Sequence, residues 1–137
     1  MATGDMRRVL LHGGAEEWFD RAAQFAGRLA REFNAELHVV YVVPEPLSAG
    51  FTAEMPTARL PELHAAVEEE ARGRLGRVLP AEVVDRVTIA IRIGDTSAEL
   101  LRYTAENPVD LAIVQGSDEH ARGFVDQGRS SVLILRS

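Results

Sequence analysis

Residues 93–117 read IGDTSAELLRYTAENPVDLAIVQGS, and the order of signals within them decides the fold class. Gly94 and Asp95 turn the chain. Thr96 and Glu99, three residues apart, form a capping-box pattern that predicts a helix running to about Asn107. Pro108 ends it, because proline disfavours helical backbone at the residue before it. Residues 109–115 then predict a strand centred on Leu111, Ala112, Ile113 and Val114, a continuous apolar run of the kind covered on both faces. A turn, an amphipathic helix and a two-sided strand in this order make an α/β unit.

Two more such units lie upstream. Residues 7–12 predict a short buried strand ended by Gly13 and Gly14. A helix is expected over 17–33, with Trp18, Ala22, Phe25, Ala26, Leu29 and Phe33 at spacings of three and four on its inner face. Residues 36–43 predict a second strand, with Leu37, Val39, Val40 and Val43 apolar. The stretch 44–61 holds Pro44, Pro46, Pro56 and Pro61 without a steady period, and reads as a long loop at the C-terminal end of that strand. A charged helix is expected over 62–79, with Leu63, Val67, Ala71, Leu75 and Val78 inward. In 86–93, Val87, Ile89, Ile91 and Ile93 alternate with Thr88, Ala90 and Arg92, the pattern of a half-buried strand near a sheet edge. Beyond 116–129, which is polar, residues 131–136 predict a last strand.

Strands alternating with helices imply a parallel sheet with helices on both faces, since parallel strands need right-handed crossovers. In such sheets a ligand sits beyond the C-terminal strand ends, where the strand order reverses. The expected rim is His12, Gly13, Gly14, Val42, Gly94, Gln115, Gly116 and Ser117.

Bulk composition narrows the function classes. The chain has 137 residues, 46% hydrophobic and 26% charged, which fits one domain spanning 1–137. Its net charge of −6 argues against a nucleic-acid partner and against an anionic membrane surface. With no cysteine, disulfides, thiolate nucleophiles and zinc–thiolate sites are excluded. No segment carries the apolar run of a signal peptide or a membrane span, so a cytoplasmic location is expected.

Three stretches resemble the universal stress protein family. RRVLLHGGAEEWFDRA (7–22) is similar to its opening strand and turn, and AELHVVYVV (35–43) followed by Pro44 to its second strand. Residues 93–117 are similar to its Gly-Asp, helix, Asp-Leu-Ile-Val, Gly-Ser pattern. The resemblance implies a single five-stranded sheet of order 3-2-1-4-5, of the adenine-nucleotide alpha-hydrolase-like type, and dimerisation through the last strand. It also implies a nucleotide site from which this chain departs. Where the ATP-binding branch carries an aspartate in the first turn, Gly14 stands here, without an acceptor. The branch's Gly-x-x-Gly-x9-Gly-Ser/Thr loop cradles phosphates on backbone N–H groups. Here Gly116 matches the first glycine, Glu119 replaces the second and the distal Gly-Ser is missing. Asp118 and Glu119 would repel a triphosphate, each by about 1 kcal/mol or more in a partly dry site. The segment after Gly116 is shorter than the family pattern by roughly two to three helical turns, so a truncated last helix is expected.

Other chemistry is thinly supported. Ser117, His12 and Asp95 share the rim, but no G-x-S-x-G elbow is present for a hydrolase. His12, His38, His64 and His120 share no ligand spacing, and Asp118–Glu119–His120 reads as a solvated loop, so no metal is expected. Trp18, Tyr41 and the phenylalanines read as core. The last strand, 131–136, would leave an open apolar edge that pairs with a second copy. These readings give a non-catalytic, dimeric stress-response or regulatory module without ATP or another cofactor, acting on a protein partner or a small ligand. The alternatives are an ATP- or AMP-binding switch with a degenerate phosphate loop, and a small hydrolase.

Overall fold

The computed structural model describes residues 6–14, 17–43, 60–115, 122–123, 127 and 130–135, with the side chains of Leu60 and Gln115 outside that description. The elements in chain order are β1 (Arg8–His12), α1 (Glu17–Phe33), β2 (Glu36–Val43), α2 (Leu60–Val78), α3 (Ala81–Val84), β3 (Val87–Ile93), α4 (Thr96–Glu106), β4 (Leu111–Gln115) and β5 (Ser131–Leu135). The strands form one parallel sheet of order β3-β2-β1-β4-β5. This is the order the resemblance implied.

The pleat divides the core in two. Val9, Leu11, Leu37, Val39 and Ile113 face α1, α2 and α3 together with Phe19, Leu75 and Val83. Leu10, Val40, Ala112 and Val114 face α4, meeting Leu100 and Tyr103. Each fully buried Leu, Val or Phe side chain stabilises the fold by about 1.5–3 kcal/mol before entropy is counted.

Helix α1 corrects the expected inner face. Its buried residues are Trp18, Phe19, Ala22, Ala23, Ala26, Gly27 and Ala30. Phe25 and Phe33 are instead 39% and 50% exposed. Small side chains let the helix backbone approach the sheet closely, and that turns the larger rings to the shoulder. In α2 the expected stripe is buried only at Ala71 and Leu75, whereas Leu63, Val67 and Val78 are half-buried. The short α3 turn, which starts after Pro80, was not expected from the sequence.

Helix α4 is also capped differently. Its N-cap is Asp95, whose Oδ2 accepts from Ala98 N at 3.0 Å. Thr96 is already inside the helix. Glu99 turns inward, 9% exposed, and accepts from the Arg102 guanidinium. Aspartate caps as well as threonine does, and the turn at Gly94 leaves Asp95 in the extended backbone that a cap needs.

The strands end at unequal heights. His12, the last residue of β1, pairs with Val40, while β2 continues through Tyr41, Val42 and Val43, paired with Ile91, Arg92 and Ile93. Three extra residues carry β2 and β3 roughly 10 Å beyond β1. The strand order reverses beside β1, so this step walls one side of the switch point.

Candidate functional site

The rim is built from the exits of β1 and β3. Gly13 N donates to Val40 O at 2.8 Å, so the chain leaves β1 still fastened to β2. A Cβ at Gly13 would lie 2.6 Å from the Tyr41 ring, so no side chain fits unless that ring moves. The ring is held in turn by Phe19, with centroids 6.0 Å apart. Gly14 differs. A Cβ there would lie 3.4 Å from Trp18, an ordinary contact. The glycine is therefore not required by space, and the missing side chain is a matter of chemistry.

Gly94 is held by both space and backbone. Its φ is +146°, a region L side chains rarely adopt, and its N–H donates to Val43 O at 3.0 Å. A Cβ there would stand 3.2 Å from the Glu99 carboxylate. Val42 is half-buried and packs with Ala90 against the α4-side core.

Charge at this end sits beside Tyr41. Arg74 on α2 donates to both carboxylate oxygens of Asp20 on α1, at 2.7 and 3.2 Å. Burial pushes the Tyr41 phenol up to about 12, with nearby Arg74 opposing the rise and Glu70 and Asp20 adding to it. The phenol is therefore a neutral wall at physiological pH.

The structure places His12, Gly13 and Gly14 at the exit of β1, Val42 near the end of β2 and Gly94 just past β3, with Gln115 closing β4 opposite Leu135. Gly116 and Ser117 lie outside the described residues, as do Asp118, Glu119, His120 and nearly all of the 44–61 stretch. Asp95, placed in the hydrolase trio, is engaged as the α4 cap. Sequence reading missed Tyr41 and Glu99 as rim residues. Both occur in patterns that read as core or cap, and only the step between β1 and β2 and the turn at Gly94 bring them there. Among the described residues, no group of three or more His, Asp or Glu side chains stands in metal-holding geometry. No described helix is long and apolar enough to cross a membrane.

The fold is that of a doubly wound α/β protein whose strand order reverses between β1 and β4. The family's sequence profile matches residues 8–130, and the chain belongs to the universal stress protein family. Among solved structures it is similar to universal stress protein UspA from Lactobacillus plantarum, with TM-score 0.71, 16% identity, and 96% of this chain and 98% of that one covered. It is also similar to a universal stress protein in complex with cAMP, with TM-score 0.67, 18% identity and coverage of 96% and 98%. A third similar structure is the universal stress protein from Archaeoglobus fulgidus in complex with dAMP, with TM-score 0.66, 12% identity and coverage of 94% and 96%. At these identities the likeness is one of fold. A search of curated proteins returns no match to the chain.

Proposed function

We propose that this chain is a non-catalytic, dimeric stress-response or regulatory module that does not bind ATP as the ATP-binding branch of its family does. The observation that carries this reading is at Gly14. Gly14 itself offers no side-chain acceptor, although a side chain would fit there beside Trp18 without a clash. The substitutions at Gly116–Glu119 read from the sequence point the same way. The chain is proposed to act as one domain in the cytoplasm, and to pair through β5. That strand is hydrogen-bonded to β4 and is the last strand on its side of the sheet, and Ile134 on it is 43% exposed.

The second reading is a nucleotide-binding switch. It is favoured by the two similar structures that hold cAMP and dAMP. Thermal unfolding with millimolar Mg-ATP, AMP or cAMP separates the two. A nucleotide at 100 times its dissociation constant would stabilise the fold by about 2.7 kcal/mol. The expected result for ATP is no shift. Gly14→Asp, which the space permits, is expected to leave stability within about 1 kcal/mol and still to give no ATP shift, because the phosphate cradle is also altered. A saturable ATP shift in the unaltered protein would overturn the first reading. The hydrolase alternative requires turnover of esters or phosphoesters that Ser117→Ala abolishes.

A further inference from the structure

Helix α1 has two flanks, and its contacts tell them apart. On one, a Cβ at Gly27 would lie 2.9 Å from Leu79 and Pro80, Asp20 pairs with Arg74, and Arg31 approaches Glu82 at 3.9 Å. That flank faces α2 and α3. At roughly 100° per residue, Phe25 and Leu29 lie about 160° around the helix from Gly27, and Phe33 about 120°. These three therefore look the other way, towards β4 and β5. Helix α1 packs on β1, β2 and β4, whereas Leu133 and Leu135 of β5 join the same core only as half-buried residues. Gly123, which lies between β4 and β5 in the chain, stands beside Ser97 of α4, on the opposite face of the sheet.

Phe25, Leu29 and Phe33 are spaced four apart and form one ridge, the feature by which a helix packs into the groove of another helix. Among the described residues the exposed large apolar side chains are Phe25, Phe33 and Ile134, so two of the three belong to this ridge. Its solvent side is charged in a definite order. Arg21 and Arg28 are exposed on either side of Phe25, and glutamates stand only at the two ends of the helix, Glu17 and Glu32. Neither arginine takes part in an ion pair among the described residues. An apolar ridge bordered at its middle by unpaired cations is the complement of an amphipathic helix with acidic borders. A second copy fits it poorly, because antiparallel pairing of two ridges about their middle would bring the two Arg28 side chains together.

We propose that this flank of α1 is a docking surface for an acidic amphipathic helix of a partner protein, laid beside α1 on its β5 side. Phe25 and Leu29 meet the apolar stripe of the partner helix, and Arg21 and Arg28 pair with its carboxylates. The two strand spacings from β1 to β5, roughly 10 Å in all, match the 8–10 Å at which two helices pack side by side. The surface is separate from the rim, so it stands whether or not a nucleotide binds there.

A synthetic amphipathic peptide of about eighteen residues, built from Leu, Ala and Glu, tests the proposal with the full-length protein, beside a counterpart in which every Glu is Lys. Fluorescence anisotropy should show saturable binding of the Glu peptide, with the Lys peptide about tenfold weaker or more. Phe25→Gln, a change at an exposed position, should weaken the Glu peptide about tenfold while leaving the unfolding temperature unchanged. Arg21→Gln with Arg28→Gln should narrow the gap between the two peptides to about twofold or less. Amide NMR shifts on adding the Glu peptide should centre on Arg21, Phe25, Leu29 and Leu133. The proposal is overturned by absent saturation, by undiminished binding in Phe25→Gln, by equal or tighter binding of the Lys peptide, by an unchanged gap in the double arginine variant, or by shifts centred elsewhere. A dimer in sedimentation velocity that Phe25→Gln converts to monomer would also overturn it, since a second copy would then cover the ridge.

Discussion

At the base of the sheet, where the strands begin, side chains from four elements meet in one polar chain. The Arg8 guanidinium donates to Pro108 O and to Glu36 Oε1, at 3.1 and 3.3 Å. His38 joins Glu36 Oε1 at 2.9 Å on Nε2 and the Tyr103 hydroxyl at 2.6 Å on Nδ1. A carboxylate only accepts, so Nε2 carries a proton, and Nδ1 shares a hydrogen bond with the Tyr103 hydroxyl. From near the end of β3, Arg92 reaches back to lie 5.1 Å over the Tyr103 ring and donates to Glu106. Asp110 accepts from the N–H groups of Arg7 and Arg8. At the opposite rim, the turns after β1 and β3 are fastened by the backbone of Gly13 and Gly94 and by the Asp95 cap. The base secures α4 and the strand starts through side chains. The rim keeps its approaches narrow by omitting them. The base is held by side-chain bonds, whereas the glycine turns of the rim are held by backbone N–H groups bonded to β2.

Removing His38 tests the base most severely. His38→Ala takes away a packed ring and leaves the Tyr103 hydroxyl without its hydrogen-bond partner, an expected loss of about 2–4 kcal/mol in urea unfolding. A loss below about 1 kcal/mol would show that the polar chain is incidental. At the rim, Gly13→Ala must displace the Tyr41 ring and is expected to cost about 1–3 kcal/mol, whereas Gly14→Ala should stay within about 0.5 kcal/mol. Equal effects at these neighbouring positions would contradict the close approach at Gly13. The smallest effect concerns pH. The His38 hydrogen bond, and then Arg8, hold the Glu36 carboxyl below its ordinary value of 4.5. A depressed carboxylate contributes stability above its unfolded value and loses it as pH falls through the folded one. Unfolding followed from pH 6 down to pH 3 should therefore show a decline below about 4.5 that is shallower in Glu36→Gln. Parallel profiles for the two proteins would mean that Glu36 is not held this way.

Much of this architecture was legible in the chain. Strand positions followed from apolar runs such as 111–114 and from the alternation in 87–93, and the strand order came from the family resemblance. The rim was legible as a set of turn residues, because glycine and aspartate at strand ends have local causes. Two features had no local signal. Phe25 and Phe33 fit the helical period as well as Phe19 and Ala23 do, and only close packing on the sheet chose between the two faces. His38 reads as one more strand residue until Tyr103, sixty-five positions away, supplies its partner.

The sequence by itself determined which segments become strands and helices, and which turn residues end them, because those choices rest on interactions within a few positions. Tertiary structure alone decided which face of α1 is buried, how far β2 and β3 stand above β1, and which polar atoms find partners. Each of those depends on the distance and register between segments far apart in the chain, and a local pattern carries neither.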